Sequence, residues 1–401
     1  MLNVEKIRKD FPILDRRKVI YFDNAATSLK PKVVIDALAD YYLEHCANIH
    51  RGIYRLSEEA TTLYEEAHDK VARFVGAKNR EEMIFVKNTT EAINFVAYGL
   101  DWRPRDKVIT TIMEHHSNFV PWQMVRDRVG LEMKVVGIKP DYSLDFEDLD
   151  RNIDNRTKLV AITHVSNVLG AINPVKEICK VAHENGALCL IDAAQSVPHM
   201  PVNVKDLDAD FLAFSAHKML GPTGVGALYI REGLDERLSP TIGGGDMIES
   251  VNLKRSTWRE TPWKYEAGTP NIAGGIGFGA AVDYLEKIGM ENVRGHEVDL
   301  TGYALKKMED TPNVLILGST STKNRAGIVS FVIKGVNAHD LALYLDEING
   351  IAVRSGFHCC EPLHKQLGVT ASVRASFYIY NTKKEIDIFC DALETISKEL
   401  V

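Results

Sequence analysis

Several things are missing from this sequence of 401 residues. Its six cysteines form no C-x-x-C pair, which argues against a structural zinc site, and no bound metal is expected. No apolar run approaches the length of a membrane span. The opening residues Met1-Leu2-Asn3-Val4-Glu5-Lys6 carry no apolar h-region of a secretory signal. Positive charge is not in excess: the formal net charge is -7, which argues against a general nucleic-acid surface. Internal repeats, low-complexity tracts and long linkers are absent as well. The expectation is a cytoplasmic protein with no membrane or nucleic-acid partner and no disulfide scaffold. What is present is a chain long enough for more than one domain. Its 45% hydrophobic and 26% charged residues are ordinary for a globular protein.

Through its middle the sequence alternates short apolar segments with amphipathic ones. Strands are predicted at 107–111, 158–163, 187–191, 211–214 and 225–229. Over 175–185, Val175, Ile178, Cys179 and Ala182 recur at helical spacing, and Gly186 stops that helix. The alternation predicts an α/β fold, a mostly parallel sheet with helices on both faces. Ligands of such sheets bind beyond the carboxyl ends of the strands. After about residue 285 the pattern changes. Segments 314–317 and 328–333 read as strands, 338–349 and 384–400 as helices. We therefore expect a large unit over 19–285 and a smaller α+β unit over 286–401. Residues 1–18, with a helix near 3–9, are expected to pack on the smaller one.

The chemistry gathers at the predicted strand ends. Ser215-Ala216-His217-Lys218 follows the apolar run at 211–214, and Asp192 ends the strand before it. Pyridoxal phosphate needs a lysine for its aldehyde and an acid at its ring nitrogen. It also needs a flat group on its face and donors for its phosphate. Lys218 and Asp192 supply the first two, although Asp192 also suits a helix N-cap before Ala193-Ala194-Gln195. Glu114-His115-His116-Ser117-Asn118 follows another strand and offers a ring to stack. Asn88-Thr89-Thr90-Glu91 opens a helix whose hydroxyls and free N–H groups suit a phosphate, or form a plain N-cap. The glycine-rich segments 221–226 and 243–245 lack the G-K-[ST] of a P-loop. Arg354 and Arg374 flank a loop that carries Cys359-Cys360. Arginine forks hold carboxylates with two bonds, and Arg374, in an apolar context, is the stronger candidate. Cys179 and Cys189 read as core residues.

With these residues in order, the sequence resembles the pyridoxal-phosphate-dependent cysteine desulfurases of group II, the sulfur-mobilisation branch. The resemblance covers nearly the whole chain. It runs through Tyr21-Phe22-Asp23-Asn24-Ala25-Ala26, Asn48-Ile49-His50-Arg51-Gly52, Thr89-Thr90-Glu91-Ala92 and Glu114-His115-His116-Ser117-Asn118. It continues through Thr163-His164-Val165-Ser166-Asn167, Asp192-Ala193-Ala194-Gln195 and Ser215-Ala216-His217-Lys218. It ends with Tyr265-Glu266-Ala267-Gly268-Thr269-Pro270 and Arg354-Ser355-Gly356-Phe357-His358-Cys359.

The resemblance implies the fold type I architecture of class V aminotransferases and a homodimer with the active site at the interface. It implies Lys218 as the Schiff-base lysine, Asp192 on the pyridinium nitrogen, His115 stacked on the ring and Gln195 on the phenolic oxygen. Thr89, Thr90, Ser215 and His217 would hold the phosphate, helped by Thr269 of the partner subunit. Asn167 and Arg374 would bind the substrate carboxylate, with His50 and Arg51 near the substrate pocket. Cys359 would accept sulfur from L-cysteine as a persulfide, leaving L-alanine. The sulfur would pass to an acceptor or scaffold protein, with iron–sulfur cluster assembly the expected destination. Selenocysteine lyase shares the fold and most of these residues and is the alternative.

Two positions depart from the family pattern. Phe357 stands where a histidine is usual, and Cys360 where a small alanine is usual. Cys360 reads as a tolerated small residue or as a second thiol able to resolve a persulfide. The short segment from Arg354 to Cys359 implies a short tether, so an acceptor must come to the pocket. His339 matches a position that helps dock zinc-bearing acceptors, and equally reads as a neighbour of Asp340 at a helix start. His358 is a candidate helper of Cys359, if its ring faces that way.

Overall fold

The computed structural model describes residues 2–399. Met1, Leu400 and Val401, which include the predicted end of the last helix, lie outside the described residues. The central sheet is built from β1 Met83–Val86, β2 Lys107–Thr111, β3 Glu132–Val136, β4 Thr157–Thr163, β5 Leu188–Asp192, β6 Phe211–Ser215 and β7 Gly226–Ile230. Their order across the sheet is β1-β7-β6-β5-β4-β2-β3. All run parallel except β7, which is antiparallel to both its neighbours.

Each central strand feeds two apolar clusters, one on either face. In β4, Leu159 and Ala161 join one cluster while Val160 and Ile162 join the other. In β5, Leu188 and Leu190 part from Cys189 and Ile191 in the same way. Successive side chains of a strand point to opposite faces, so a strand buried on both faces must be apolar throughout. Helix Val175–Glu184 covers one face with Val175, Ile178, Cys179 and Ala182. Just past its end, Gly186 takes φ +76, a left-handed turn that glycine adopts without strain. Helices Thr89–Gly99 and Val120–Val129 cover the other face through Ile93, Val96, Trp122 and Val125. Truncating one side chain of this core, as in Leu190→Ala, costs about 2–5 kcal/mol.

A second, antiparallel sheet contains β8 Val314–Leu317, β9 Ile328–Ile333, β10 Arg354–Gly356 and β11 Ser372–Ser376, in the order β8-β9-β11-β10. Its register sets Arg354 opposite Arg374 and Gly356 opposite Ser372. Helices Met290–Glu309, Ala338–Asn349 and Lys383–Glu399 share its apolar cluster through Leu300, Leu341 and Phe389. Segment Ile20–Tyr21 pairs with Ile351–Ala352, and Asp23 bridges to Ser376. Residues 20–23, at the start of the expected 19–285 unit, are thus bonded to segments expected in the smaller one. At the amino terminus, Arg8 donates to Tyr380 O (2.6 Å) and Glu385 Oε1 (2.8 Å). Among the described residues no helix is long and apolar enough to cross a membrane, and no cluster of His, Cys, Asp and Glu could hold a metal ion.

Candidate active site

The parallel strands deliver their carboxyl ends to one edge of the central sheet. Beyond β1 lies Thr89, beyond β2 His115, beyond β4 Asn167 and beyond β6 Lys218, while Asp192 is the last residue of β5. These residues line one cavity of about 310 Å³ with Thr90, Gln195, Ser215 and His217. The second sheet and its loops add Arg354, His358, Cys359 and Arg374.

Lys218 ends a short 3-10 turn, Ala216–Lys218. Burial lowers its ammonium to about 8, and the Asp192 carboxylate opposes that fall. Such an amine is readily neutral, as a nucleophile requires. Burial raises the Asp192 carboxyl, against a hydrogen bond from Ala194 N to Oδ1 (3.0 Å) and the Lys218 charge. A turn and not a helix follows Asp192, so the N-cap expectation fails; the turn's one bond to Oδ1 leaves the other carboxylate oxygen for a ligand. The ring of His115 is neutral, because burial drives it down to about 3. Ser117 N–H donates to its Nδ1 (3.1 Å), which puts the ring proton on Nε2.

At the other end of the cavity, helix Thr89–Gly99 begins. Asn88 Oδ1 caps it by accepting from Glu91 N (3.0 Å). Thr89 N donates to Ser215 Oγ (2.8 Å), and the Thr89 and Ser215 hydroxyls meet at 2.7 Å. Hydroxyls at a helix N-terminus favour an anion through N–H groups and the helix dipole. The His217 carbonyl is pinned by Ser28 N (3.0 Å), Thr27 Oγ1 (3.0 Å) and Lys30 Nζ (2.8 Å). Burial lowers the Lys30 ammonium to about 7 and the His217 ring to about 4. Gln195 Nε2 donates to Ala25 O (2.7 Å), while its Oε1 is buried without a partner among the described residues.

The arginines meet on one carboxylate. Arg354 forks onto Asp23 through Nε (3.1 Å) and Nη2 (2.9 Å). Arg374 Nη2 reaches the same carboxylate at 3.4 Å, and its Nη1 donates to Asn167 O (3.1 Å). Arg374 Nε is buried without a partner among the described residues. A buried guanidinium with an unused donor is suited to a substrate carboxylate.

Cys359 is exposed on a tight turn, with φ +116 at Gly356, +50 at His358 and +56 at Cys359. Left-handed backbone is unfavourable for a residue with a Cβ, so other contacts must hold the turn. His116 N donates to Cys359 O (2.7 Å), and Asn167 Nδ2 to His358 O (2.7 Å). The Asn167 amide thus fastens the loop. The His358 ring donates or accepts at Ser372 Oγ (2.9 Å), so the expected helper is tied into the second sheet. Cys360 is buried, its thiol pushed up by burial and placed 3.7 Å from Ile112 O. That favours the small-residue reading of Cys360 over a resolving thiol.

Three predicted residues are not on this cavity within one chain. His50 Nδ1 is bound to Asp246 Oδ2 (2.9 Å), its ring 4.2 Å from that of Trp263. Arg51 donates to Ile248 O (3.2 Å) and faces the same Asp246. Thr269 lines a separate cavity with Tyr64, Tyr265 and Glu266. The charge of Asp246 and the packing of Trp263 hold the His50-Arg51 pair away from its own chain's cavity.

Sequence reasoning missed other residues. Asp23 joins the two arginines, and its signal was an acid inside the Tyr21-Phe22-Asp23-Asn24-Ala25-Ala26 segment. Glu114 is buried behind His115, accepting from Thr111 Oγ1 (2.6 Å), Asn118 Nδ2 (2.6 Å) and Thr163 N (3.1 Å). Burial nonetheless raises its carboxyl to about 8. Lys30 carried no signal, since only the fold brings it to His217.

The donor set fits pyridoxal phosphate: a buried amine, a buried carboxylate with one oxygen unbonded by the protein, a neutral flat imidazole and a hydroxyl-rich helix N-terminus.

The aminotransferase class-V family model matches residues 20–389. The chain is 49% identical to a cysteine desulfurase of Haloferax volcanii, covering 98% of this chain and 96% of that one. It is similar to the apo structure of a cysteine desulfurase from Thermococcus onnurineus NA1, with TM-score 0.94 and 45% identity, covering 100% of this chain and 99% of that one. It is also similar to the cysteine desulfurase CsdA of Escherichia coli in its S-sulfonic acid form, with TM-score 0.93 and 35% identity over 100% of both chains.

Proposed function

The chain belongs to the aminotransferase class-V family, and from that premise we propose that it converts L-cysteine to L-alanine and keeps the sulfur on Cys359. It is a pyridoxal-phosphate-dependent enzyme, a cysteine desulfurase of the group II branch. One observation carries the reading: Lys218, Asp192, Arg374 and Cys359 line the same cavity. A lysine and an acid alone would serve a transaminase equally well.

Bound pyridoxal phosphate supplies an electron sink for the charge left at the substrate Cα. The chain's own residues do the rest. Lys218 and Asp192 would hold the ring at its aldehyde and its nitrogen, and Asp192 would keep that nitrogen protonated. His115 presents a neutral face, and Gln195 has an Nε2 hydrogen left for the phenolic oxygen. Thr89, Thr90, Ser215 and His217 would hold the phosphate. Arg374, with Arg354 and Asn167, orients the substrate carboxylate. The Lys218 amine would take the Cα proton. The Cys359 thiolate attacks the substrate sulfur. A sulfur–sulfur bond forms and the Cβ–sulfur bond breaks. Cβ gains a proton to become the alanine methyl, and Cα regains the proton it lost.

We read the assembly as a homodimer. The separation of His50, Arg51 and Thr269 from their own chain's cavity supports this, as do the exposed Leu43, Ile53 and Leu253. Gly356 is paired with Ser372, so only Phe357 and His358 stand between the sheet and Cys359. That short tether supports delivery to an acceptor or scaffold protein that comes to the cavity, and we propose iron–sulfur cluster assembly in the cytoplasm as the sulfur's destination.

The test is mass spectrometry of the cofactor-loaded protein after L-cysteine is added. A gain of one sulfur on the Cys359 peptide is expected. An unmodified Cys359, or sulfur on another cysteine, overturns the reading.

A further inference from the structure

The Cys359 turn is held from below by a hydrogen-bond chain whose direction can be assigned at every step. His364 Nδ1 lies 3.0 Å from Cys360 O. A carbonyl only accepts, so Nδ1 donates. The His364 ring is neutral because burial lowers its pKa, which leaves Nε2 as an acceptor. Ser372 Oγ–H therefore donates to His364 Nε2 (2.9 Å). Ser372 Oγ then accepts from His358 Nε2–H (2.9 Å). Nδ1 of His358 remains buried without a partner among the described residues.

The three residues come from different places. Ser372 opens β11 opposite Gly356. His364 sits on helix Glu361–Gln366 beyond the turn. His358 is in the turn itself, at φ +50. Phe357, in place of the usual histidine, sets its ring edge-on to His364 at 5.6 Å and 82°. An aromatic ring there packs the chain from the side and makes no competing hydrogen bond.

We propose that His358, Ser372 and His364 form a clamp that holds the left-handed turn closed and keeps the Cys359 thiol in the cavity. All three are positioning residues, with Ser372 as the hub. The proposal rests on Cys359 being the sulfur acceptor, and its test separates the two ideas.

The experiment uses the cofactor-loaded protein and two readouts on wild type, Ser372→Ala and Ser372→Thr. The first is the rate of Cys359 alkylation by iodoacetamide without substrate, which needs no catalysis. The second is persulfide formation with L-cysteine, split into kcat and KM. Ser372→Ala is expected to alkylate about five- to tenfold faster, the size of effect one buried hydrogen bond carries. Its kcat is expected to fall by a similar factor, with KM unchanged and the cofactor absorbance intact. Ser372→Thr keeps the hydroxyl and is expected to restore both rates. Equal alkylation of Ser372→Ala and wild type, or failure of the threonine to restore it, overturns the clamp. A wild type that forms no persulfide while Ser372→Ala alkylates faster overturns the function and leaves the clamp standing.

Discussion

Two regions face each other across the cavity and hold their side chains by different means. Asp192 and Ser215 are the last residues of buried central strands, bonded to strands on both sides. Sheet register fixes them, and a slip of one residue would turn a whole strand's side chains to the wrong face. Cys359 stands on a turn with left-handed backbone at two residues that have a Cβ. A few hydrogen bonds fix it, from the side chains of Asn167, Ser372 and His364 and from His116 N. Register is lost only with the sheet, whereas individual bonds can be weakened one at a time. The groups proposed to hold the cofactor therefore sit on the stiff region, and the thiol proposed to pass sulfur on sits on the adjustable one.

The largest expected effect separates these regions directly. Lys218→Ala and Cys359→Ala should each lower alanine production by about 10³-fold or more, since each removes a covalent participant. They should differ in everything else. Cys359→Ala is expected to keep the yellow absorbance and to exchange the substrate Cα proton with solvent. Lys218→Ala is expected to lose that exchange. Absorbance and deuterium incorporation check this. If Cys359→Ala also stopped the exchange, the two regions would not be independent.

The same contrast explains what was legible in the sequence. Lys218, Asp192 and His115, which the structure brings to one cavity, were legible as candidates because a chemical residue at the end of an apolar strand breaks the expected pattern. The five predicted strands match β2 and β4–β7 within a residue or so at each end, because their two-sided burial leaves continuous apolar runs. The antiparallel direction of β7 left no local trace, since direction depends on the connection. The role of Asp23 was hidden, because Arg354 and Arg374 become its neighbours only when β10 and β11 pair. The His358-Ser372-His364 chain was hidden for the same reason. His50 and Arg51 were legible as a motif, but their bonds to Asp246, off their own chain's cavity, were not, because only the fold brings residue 246 to them.

A middle-sized effect tests the link between the regions. Asp23→Asn removes the charge shared by Arg354 and Arg374. A charge-assisted network of this kind carries about tenfold in affinity, so KM for L-cysteine should rise by roughly that factor. The kcat should change less. Steady-state kinetics checks it, and an effect confined to kcat would place Asp23 with the cofactor instead.

A pH measurement sharpens the stiff side. Burial holds the Lys218 ammonium at about 8 instead of its ordinary 10.5. The amine bonds an aldehyde only when neutral, so cofactor uptake by the cofactor-free protein should climb as pH rises through about 8. The stability sign agrees. With the folded pKa depressed, the charged lysine penalises the fold below about 8, and the penalty fades as pH rises to 10.5. Absorbance-monitored reconstitution gives the midpoint. A midpoint near 10.5 would mean that Lys218 is not desolvated and that the strand-end site is open to water.

The smallest effect belongs to Cys360, next to the nucleophile in sequence but on the other side of the comparison. Its side chain is fully buried in the main core cluster with Leu363, and burial keeps its thiol protonated. A protonated, enclosed thiol does not attack a persulfide, because the thiolate is the reacting form. Cys360→Ala therefore loses one buried sulfur, worth about 1 kcal/mol of stability, and should leave persulfide formation on Cys359 within about twofold, the limit set by small shifts in packing. Denaturant melts and mass spectrometry after L-cysteine measure the two quantities. A tenfold fall in persulfide yield would show that the thiol reaches the cavity. The turn would then swing far enough during turnover to expose residue 360, and the clamp beneath it would have to open in every cycle.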